Sequence, residues 1–325
     1  MSLTRRIAVA YFGVAACSLS VMPARAQSYT AKPLRLIVAT TPGGPSDLLG
    51  RGFGSHISQK TGVSVAVENR AGANSIIGAD AVAKAMPDGY TLLVTTGTAI
   101  TINQHVFRKL PYQPDKDLVP VAKLGASHFL MYARKDLPFN DAKGLIDYLR
   151  ENPGKLSIGI NGVATPPHFA VKRLEIAAGS RFNIIQYKGA APAFTDLIGG
   201  QLDLVLEAPL IGIQYVRNNT VKAVATTAPS RMSALPQVAT FAEIYPGFEA
   251  FSWFGVMAPA GTPKEAVSLL NRMAREYIED PAVKERMAGL HVVLDSMTPA
   301  QMERFIAVES SQWAELIKRT GIAVE

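Results

Sequence analysis

Three segments place glycine, proline and small residues between a β-favouring run and a helix start: Pro42–Asp47, Gly162–His168 and Lys188–Ala193. Such turns suit the capture of an anion. The first N–H groups of a helix have no partner inside it, the helix dipole is positive there, and glycine lets a ligand approach the backbone. One turn of this kind serves structure as readily as binding, and Asp47 reads equally as a cap for its own helix. Glu207 follows a short strand, where it either faces a cleft and meets a cationic or hydroxyl group, or ends the strand in solvent. Arg51 and Lys188 attract anions or simply solvate a surface.

Other chemistries lack their parts. None of the five histidines (His56, His105, His128, His168, His291) pairs with a second ligand-type residue at a metal spacing. His168, at a helix start, reads as a ligand contact or as a structural hydrogen bond to its own loop. The glycines of Gly50-Arg51-Gly52-Phe53-Gly54-Ser55 fall within a helix and not in a strand-to-helix turn, which argues against a dinucleotide fingerprint. There is no Gly-x-Ser-x-Gly elbow, no phosphate-binding P-loop and no nucleophile–base set that can be assembled. No cofactor, no metal and no enzyme are expected. The alternative, an exported α/β enzyme acting on a small carboxylate, is distinguished by turnover.

The elements that must position these turns alternate. Leu34–Thr40 reads as a strand, followed by the first turn and a helix to about Lys60; Val63–Val67 is the next strand. Arg70-Ala71-Gly72-Ala73-Asn74-Ser75 leads into a helix ending near Met86, and Tyr90–Thr95 is a strand. In the middle, Asn140-Asp141 caps a helix ended by Asn152-Pro153-Gly154. Strands at Leu156–Ile160, Phe182–Gln186 and Leu202–Leu206 then alternate with helices at Pro167–Ala178 and Pro192–Ile198. The C-terminal part is mostly helical, with capping boxes at Thr262-Pro263-Lys264-Glu265 and Thr298-Pro299-Ala300-Gln301. This alternation predicts an α/β fold with largely parallel sheets. Roughly 300 residues exceed one comfortable core, so two lobes are expected without a flexible linker. Residues 27–124 and 253–325 form lobe 1 and residues 125–252 lobe 2, with crossings near Val121–Leu124 and Trp253–Gly255.

The chain has 325 residues, 48% hydrophobic and 18% charged, which is too apolar for disorder. Its net charge is +7, but the basic residues are scattered singly, and nucleic acid is not an expected partner. Arg5-Arg6, an apolar stretch over Ile7–Met22 and the small-x-small site Ala24-Arg25-Ala26 read as a secretory signal over residues 1–26. Its removal takes three arginines and no acid, lowering the charge from +7 to +4. Cys17, the sole cysteine, lies inside that signal; Val14-Ala15-Ala16-Cys17 also reads as a lipobox, the alternative in which Cys17 carries lipid. A soluble periplasmic protein is expected.

Several segments, in order, resemble the receptors of tripartite tricarboxylate transporters, the Bug family. They begin with Pro42-Gly43-Gly44-Pro45-Ser46-Asp47 with Arg51, Val67-Glu68-Asn69-Arg70-Ala71-Gly72-Ala73 with Gly78-Ala79, and Ala85-Met86-Pro87-Asp88-Gly89-Tyr90-Thr91-Leu92. Tyr187-Lys188-Gly189-Ala190-Ala191-Pro192-Ala193 and Asp196-Leu197-Ile198-Gly199-Gly200-Gln201-Leu202-Asp203 follow. Trp253-Phe254-Gly255 and Ala258-Pro259-Ala260-Gly261-Thr262-Pro263 complete the set. The resemblance spans about Pro33 to the C-terminus and implies a two-lobed periplasmic binding protein of the type II fold, each lobe a mixed, mostly parallel sheet flanked by helices. It implies a monomeric receptor that delivers a small carboxylate (a di- or tricarboxylate, an acidic amino acid or an aromatic acid) to integral-membrane transporter subunits. An alternative output is a membrane sensor kinase.

Carried onto this sequence, the resemblance implies ligand contacts from Gly43, Gly44, Pro45, Ser46 and Asp47, from Thr96, Gly97 and Thr98, and from Gly162, Ala164, Thr165 and His168. Gly189, Ala190, Ala191 and Pro192 complete them, with ordered waters bridging carboxylate and backbone. One departure stands out. The family's second-lobe loop reads Gly-x-Gly-Ser/Thr followed by two small residues and His-Leu, whereas here it is Gly162-Val163-Ala164-Thr165-Pro166-Pro167-His168-Phe169. Ala164 puts a methyl group where the backbone needs positive φ or approaches a ligand.

Overall fold

A computed structural model describes residues 32–324. The expected signal and Cys17 lie outside the described residues. In lobe 1, β1 (Leu34–Val38) leads through the first turn into α1 (Pro45–Thr61), followed by β2 (Val65–Asn69), α2 (Ile76–Ala83) and β3 (Thr91–Thr96). A π-helical turn (Thr98–Ile102), α3 (Asn103–Val106) and α4 (Pro114–Asp117) lead to the long β4 (Leu118–His128). The chain then enters the second sheet with β5 (Leu130–Ala133), α5 (Ala142–Glu151), β6 (Ser157–Ile160), α6 (Pro166–Ala178) and β7 (Asn183–Gln186). It continues through α7 (Ala190–Ile198), β8 (Leu204–Glu207), α8 (Pro209–Arg217) and β9 (Lys222–Thr226). It returns through β10 (Phe251–Pro259), α9 (Lys264–Glu279), α10 (Pro281–Gly289) and α11 (Pro299–Thr320).

The two five-stranded sheets are built alike. Their orders are β2-β1-β3-β10-β4 and β7-β6-β8-β5-β9. In each, the strand second from one edge (β10 or β5) runs antiparallel to both neighbours, while the first three strands pair in parallel. The sheets are therefore mixed, with one reversed strand apiece. The expected crossings at Val121–Leu124 and Trp253–Gly255 fall inside β4 and β10, which pair from His128↔Phe251 onward in the first sheet. Sheet membership changes at Phe129 and just before Phe251.

Burial follows from this layering. Leu36, Val38, Leu92 and Val94 pack with Leu49 and Phe53 of α1 and with Leu270 and Ala274 of α9; Ile37, Leu93, Trp253 and Met302 of α11 fill the other face. The second sheet is sandwiched likewise, with Ile158 and Leu204 against α5 and α6 and with Tyr132 and Val205 against Phe194 of α7. A smaller apolar cluster joins the lobes: Ile102, Val106 and Ile317 from the first meet Ala164 and Phe169 from the second.

The expected caps divide. Asp141 Oδ1 accepts from the Gly144 N–H at 2.8 Å, and Thr298 and Gln301 form a reciprocal capping box. Thr262 does not cap α9: its hydroxyl donates to the Pro259 carbonyl at 2.7 Å, and the helix starts one residue later than the box requires.

Candidate functional site

A cleft of about 320 Å³ lies between the lobes, within the size range of small-ligand sites. It sits where the strands of both sheets end. Thr40 and Thr41 follow β1, Asn74 and Ser75 follow β2, Thr98 follows β3, Asn161 follows β6 and Ala208 follows β8. Open α/β sheets bind ligands at this place, because the turns leaving the strands expose backbone groups and helix starts together. Ser127, Phe129, Ser252 and Phe254, on or beside the two crossing strands, form the floor. Three larger cavities, about 410, 490 and 600 Å³, lie on two sides of α11 and beside the 228–234 loop; none gathers strand ends from both sheets.

Of the expected contacts, Gly44, Pro45, Ser46, Thr96, Thr98, Thr165 and Glu207 line the cleft. Asp47 does not. Its carboxylate turns away beneath the turn, accepting from the Gly43 N–H at 3.0 Å, the Asn69 amide at 2.8 Å and Arg51 Nε at 3.0 and 3.1 Å. The Asn69 amide also donates to the Thr40 carbonyl, so one cluster built on the buried Asp47 fixes both ends of the first turn. Burial by itself raises the Asp47 carboxyl, but the hydrogen bonds from Arg51, Gly43 and Asn69 outweigh it and hold the group below its ordinary value. Asp47 shapes the turn from behind.

Gly97 also lies off the cleft wall. A Cβ there would sit 2.5 Å from Trp253 Nε1, so glycine lets the π-helical turn pack on the indole. That indole donates to the buried Glu309 of α11 at 2.6 Å, and the Thr101 hydroxyl donates to the same carboxylate at 2.8 Å.

The second-lobe loop resolves the question of Ala164. Its φ is +56°, the left-handed region, and its side chain is fully buried in the cluster joining the lobes instead of facing the cleft. The methyl carries backbone strain of roughly 1 kcal/mol in exchange for apolar contact with the first lobe. His168 takes the structural role: its Nδ1 accepts from the Ala164 N–H at 3.1 Å, and the ring is buried. Burial, with nearby Lys172, lowers its pKa to about 4, so it is neutral at physiological pH. Gly162 and Ala164 are not on the wall, and neither are Gly189, Ala190, Ala191 and Pro192, which follow the edge strand β7.

The sequence marks a turn after β2, but no ligand contact was expected from it. Gly72, Ala73, Asn74 and Ser75 all have positive φ, a run that non-glycine residues adopt only under constraint. It places Gly72, Asn74 and Ser75 on the wall, while the Asn74 amide donates across the cleft to the Val163 carbonyl at 2.9 Å. The signal was present, since Arg70–Ser75 is a fourth strand-to-helix turn of the same composition. Asn161, Ser127 and Ser252 carried no comparable signal.

Electrostatically the cleft is almost bare of charge. No Lys, Arg or His lines it, and Glu207 is its one ionisable side chain among the described residues. Its hydrogen-bonding groups are hydroxyls, amides and the start of α1, where the Ser46 and Asp47 N–H groups have no intrahelical partner. The start of α6 contributes less, because Pro166 and Pro167 have no N–H and the Ala164 N–H is spent on His168. Thr40 Oγ1, on the wall, is buried without a hydrogen-bond partner among the described residues. Buried hydroxyls are rarely left so, and this one is placed to serve a bound group.

The comparisons with known proteins agree with this architecture. Residues 50–322 match the model of the tripartite tricarboxylate transporter family receptor, TctC. Protein BugT of Bordetella pertussis is 33% identical over 323 residues, covering 99% of each chain. The structure of R. palustris Rpa4515 with adipate superposes with a TM-score of 0.83 at 29% identity, covering 90% of this chain and 98% of that one. That of the periplasmic binding protein BugD gives 0.80 at 32% identity, covering 91% and 99%. The fold is the two-lobed α/β fold of these binding proteins, and the family is one of receptors and not of enzymes. The chain belongs to the tripartite tricarboxylate transporter receptor family, among the Bug proteins.

Proposed function

We propose that this chain captures a small carboxylate in the cleft between its lobes, outside the cytoplasmic membrane, and delivers it to integral-membrane transporter subunits. The observation that carries the reading is the cleft itself: a small cavity at the strand ends of both sheets, walled by neutral donors and the start of α1, in a member of this receptor family. Rpa4515, a neighbour of the same fold, is described with adipate. Neutral dipoles in a desolvated site hold an anion without a counter-charge, and this suits a receptor that must also release its cargo. Because wall residues come from both lobes, a ligand that touches both binds the closed arrangement more tightly and draws the lobes together.

No helix among the described residues is long and apolar enough to cross a membrane. The reading places the protein in the periplasm as a monomer, with the signal over residues 1–26 as its export route. A thermal-shift screen of ligand-free protein against small carboxylates and their neutral amides tests the binding step. A ligand at 100 times its dissociation constant adds about 2.7 kcal/mol of stability. The reading expects a response to at least one carboxylate and none to its amide; a flat carboxylate panel would overturn it.

A further inference from the structure

Glu207 is an odd residue to find in a cleft that receives anions. It ends β8, is 4% exposed and is the only ionisable side chain on the wall among the described residues. Two groups meet its carboxyl: Oε1 accepts from the Ala208 N–H at 2.8 Å, and Oε2 is 2.6 Å from the Asn161 amide nitrogen. The phenol of Tyr132 on β5 is buried and makes no hydrogen bond to it, and burial together with the Glu207 charge keeps that phenol protonated. The other titratable groups behind the cleft turns are engaged elsewhere, Asp47 with Arg51 and His168 with the Ala164 N–H. No cation reaches Glu207. An ionised Glu207 and an ionised ligand would share one small cavity with no positive side chain between them, and like charges so placed cannot both persist.

We propose that Glu207 is the proton-carrying, specificity-determining residue of this cleft: it takes one proton from solvent as an anionic ligand enters and donates that hydrogen to a ligand carboxylate oxygen. This rests on the carboxylate-receptor reading and adds the protonation state of the site to it. Burial already raises the Glu207 carboxyl to about 7 in the empty cleft, against weaker lowering by the hydrogen bonds from Ala208 and Asn161. The carboxyl therefore titrates near neutrality, and an entering anion draws the proton in. The protonated carboxyl then turns a repulsive wall into a donor. A ligand that instead offered an ammonium or hydroxyl group would favour the ionised form and bind better as the pH rises.

The test is calorimetric. Ligand-free protein is titrated with adipate, and with each other carboxylate that responds in a mono-, di- and tricarboxylate panel, between about pH 6.5 and 8.5, where these ligands stay ionised. The wild type should lose about 20-fold in affinity across that range and, in paired buffers of different ionisation enthalpy at the upper end, take up close to one proton per ligand, about the limit for a single site. Glu207→Gln, which keeps the shape of the protonated acid, should still bind, with affinity independent of pH and no proton uptake. Carboxylate binding with no pH dependence and no proton uptake would overturn this inference alone, as would affinity that rises with pH. Failure of every carboxylate at every pH would overturn the receptor reading and the inference with it. The wild-type buffer comparison decides the matter even where the glutamine variant does not fold.

Discussion

Replacing Asp47 tests whether the first turn is held from behind. The carboxylate gathers the Gly43 N–H, the Asn69 amide and Arg51, all within 3.1 Å. In Asp47→Ala the half-buried Asn69 amide loses its acceptor, at roughly 1–3 kcal/mol, and the exposed Gly43 N–H loses an ordinary hydrogen bond, at about 0.5–1.5 kcal/mol. Arg51 is 48% exposed, so its lost ion pair adds only about 0–1 kcal/mol. The total is about 1.5–5.5 kcal/mol, a fall of several degrees in Tm for a chain of this size. Asp47→Asn can still accept one of the donors and should lose less. The pH dependence has a definite sign. Because the folded carboxyl titrates below its ordinary value of 3.8, its stabilisation is present above that value and is lost as the pH falls through the lowered one. The gap in urea stability between wild type and Asp47→Asn should therefore be constant near neutrality and close in strong acid, below about pH 4. Carboxylate affinity should fall in parallel, because the turn that presents Ser46 loosens. An alanine variant as stable as the wild type at neutral pH would refute the reasoning, and so would a gap indifferent to acid.

Asn74→Ala removes the hydrogen bond to Val163 across the cleft and puts alanine at φ +51°. Ligand affinity should fall about 5- to 30-fold, from roughly 1–2 kcal/mol, with dissociation faster in stopped-flow fluorescence; an unchanged off-rate would remove Asn74 from lobe closure. Gly97→Ala drives a methyl into the Trp253 indole and should destabilise by about 1–3 kcal/mol with a shifted tryptophan emission; normal stability and emission would contradict the packing described for that turn. His168 titrates near 4 when folded against 6.5 when unfolded, so between those values the unfolded chain binds the extra proton and stability drops as the pH falls, by up to about 3 kcal/mol. His168→Gln should flatten that stretch of the acid-stability curve, and an identical curve would show that the ring is not buried neutral.

Much of the architecture was legible because the parallel strands carry apolar runs and end in glycine-rich turns. β1, β3, β6 and β8 stand within a few residues of their expected places. The long strand that leads out of the first sheet was harder to read. β4 contains Pro120, Lys123 and Gly125, which look like loop residues, yet it runs for 11 residues. Lys123 is buried there by pairing with Asp295 at 2.6 Å, 172 residues away in sequence, and by lying over the Phe305 ring, which is further along still. Long-range partners of this kind leave no local trace.

The site divides the same way. Helix-start turns announce themselves through glycine, proline and serine, so Gly44–Ser46 and Thr165 were visible. Which side of a turn faces the cleft was not: Asp47 and His168 belong to the expected turns but point into their supports. The left-handed run at Ala73-Asn74-Ser75 is invisible because only glycine marks positive φ reliably. Glu207 could be found as a strand-end acid, but its isolation from every cation required the assembled cleft.

The most direct measurement is a crystal structure of the protein with the carboxylate that gives the largest thermal shift. The account predicts the ligand between the lobes, with one carboxylate at the start of α1 near Ser46 and Thr40, directly or through one water, and the other end towards Asn161 and Glu207. A ligand seated instead beside α11 or under the 228–234 loop, with the inter-lobe cleft empty, would contradict it.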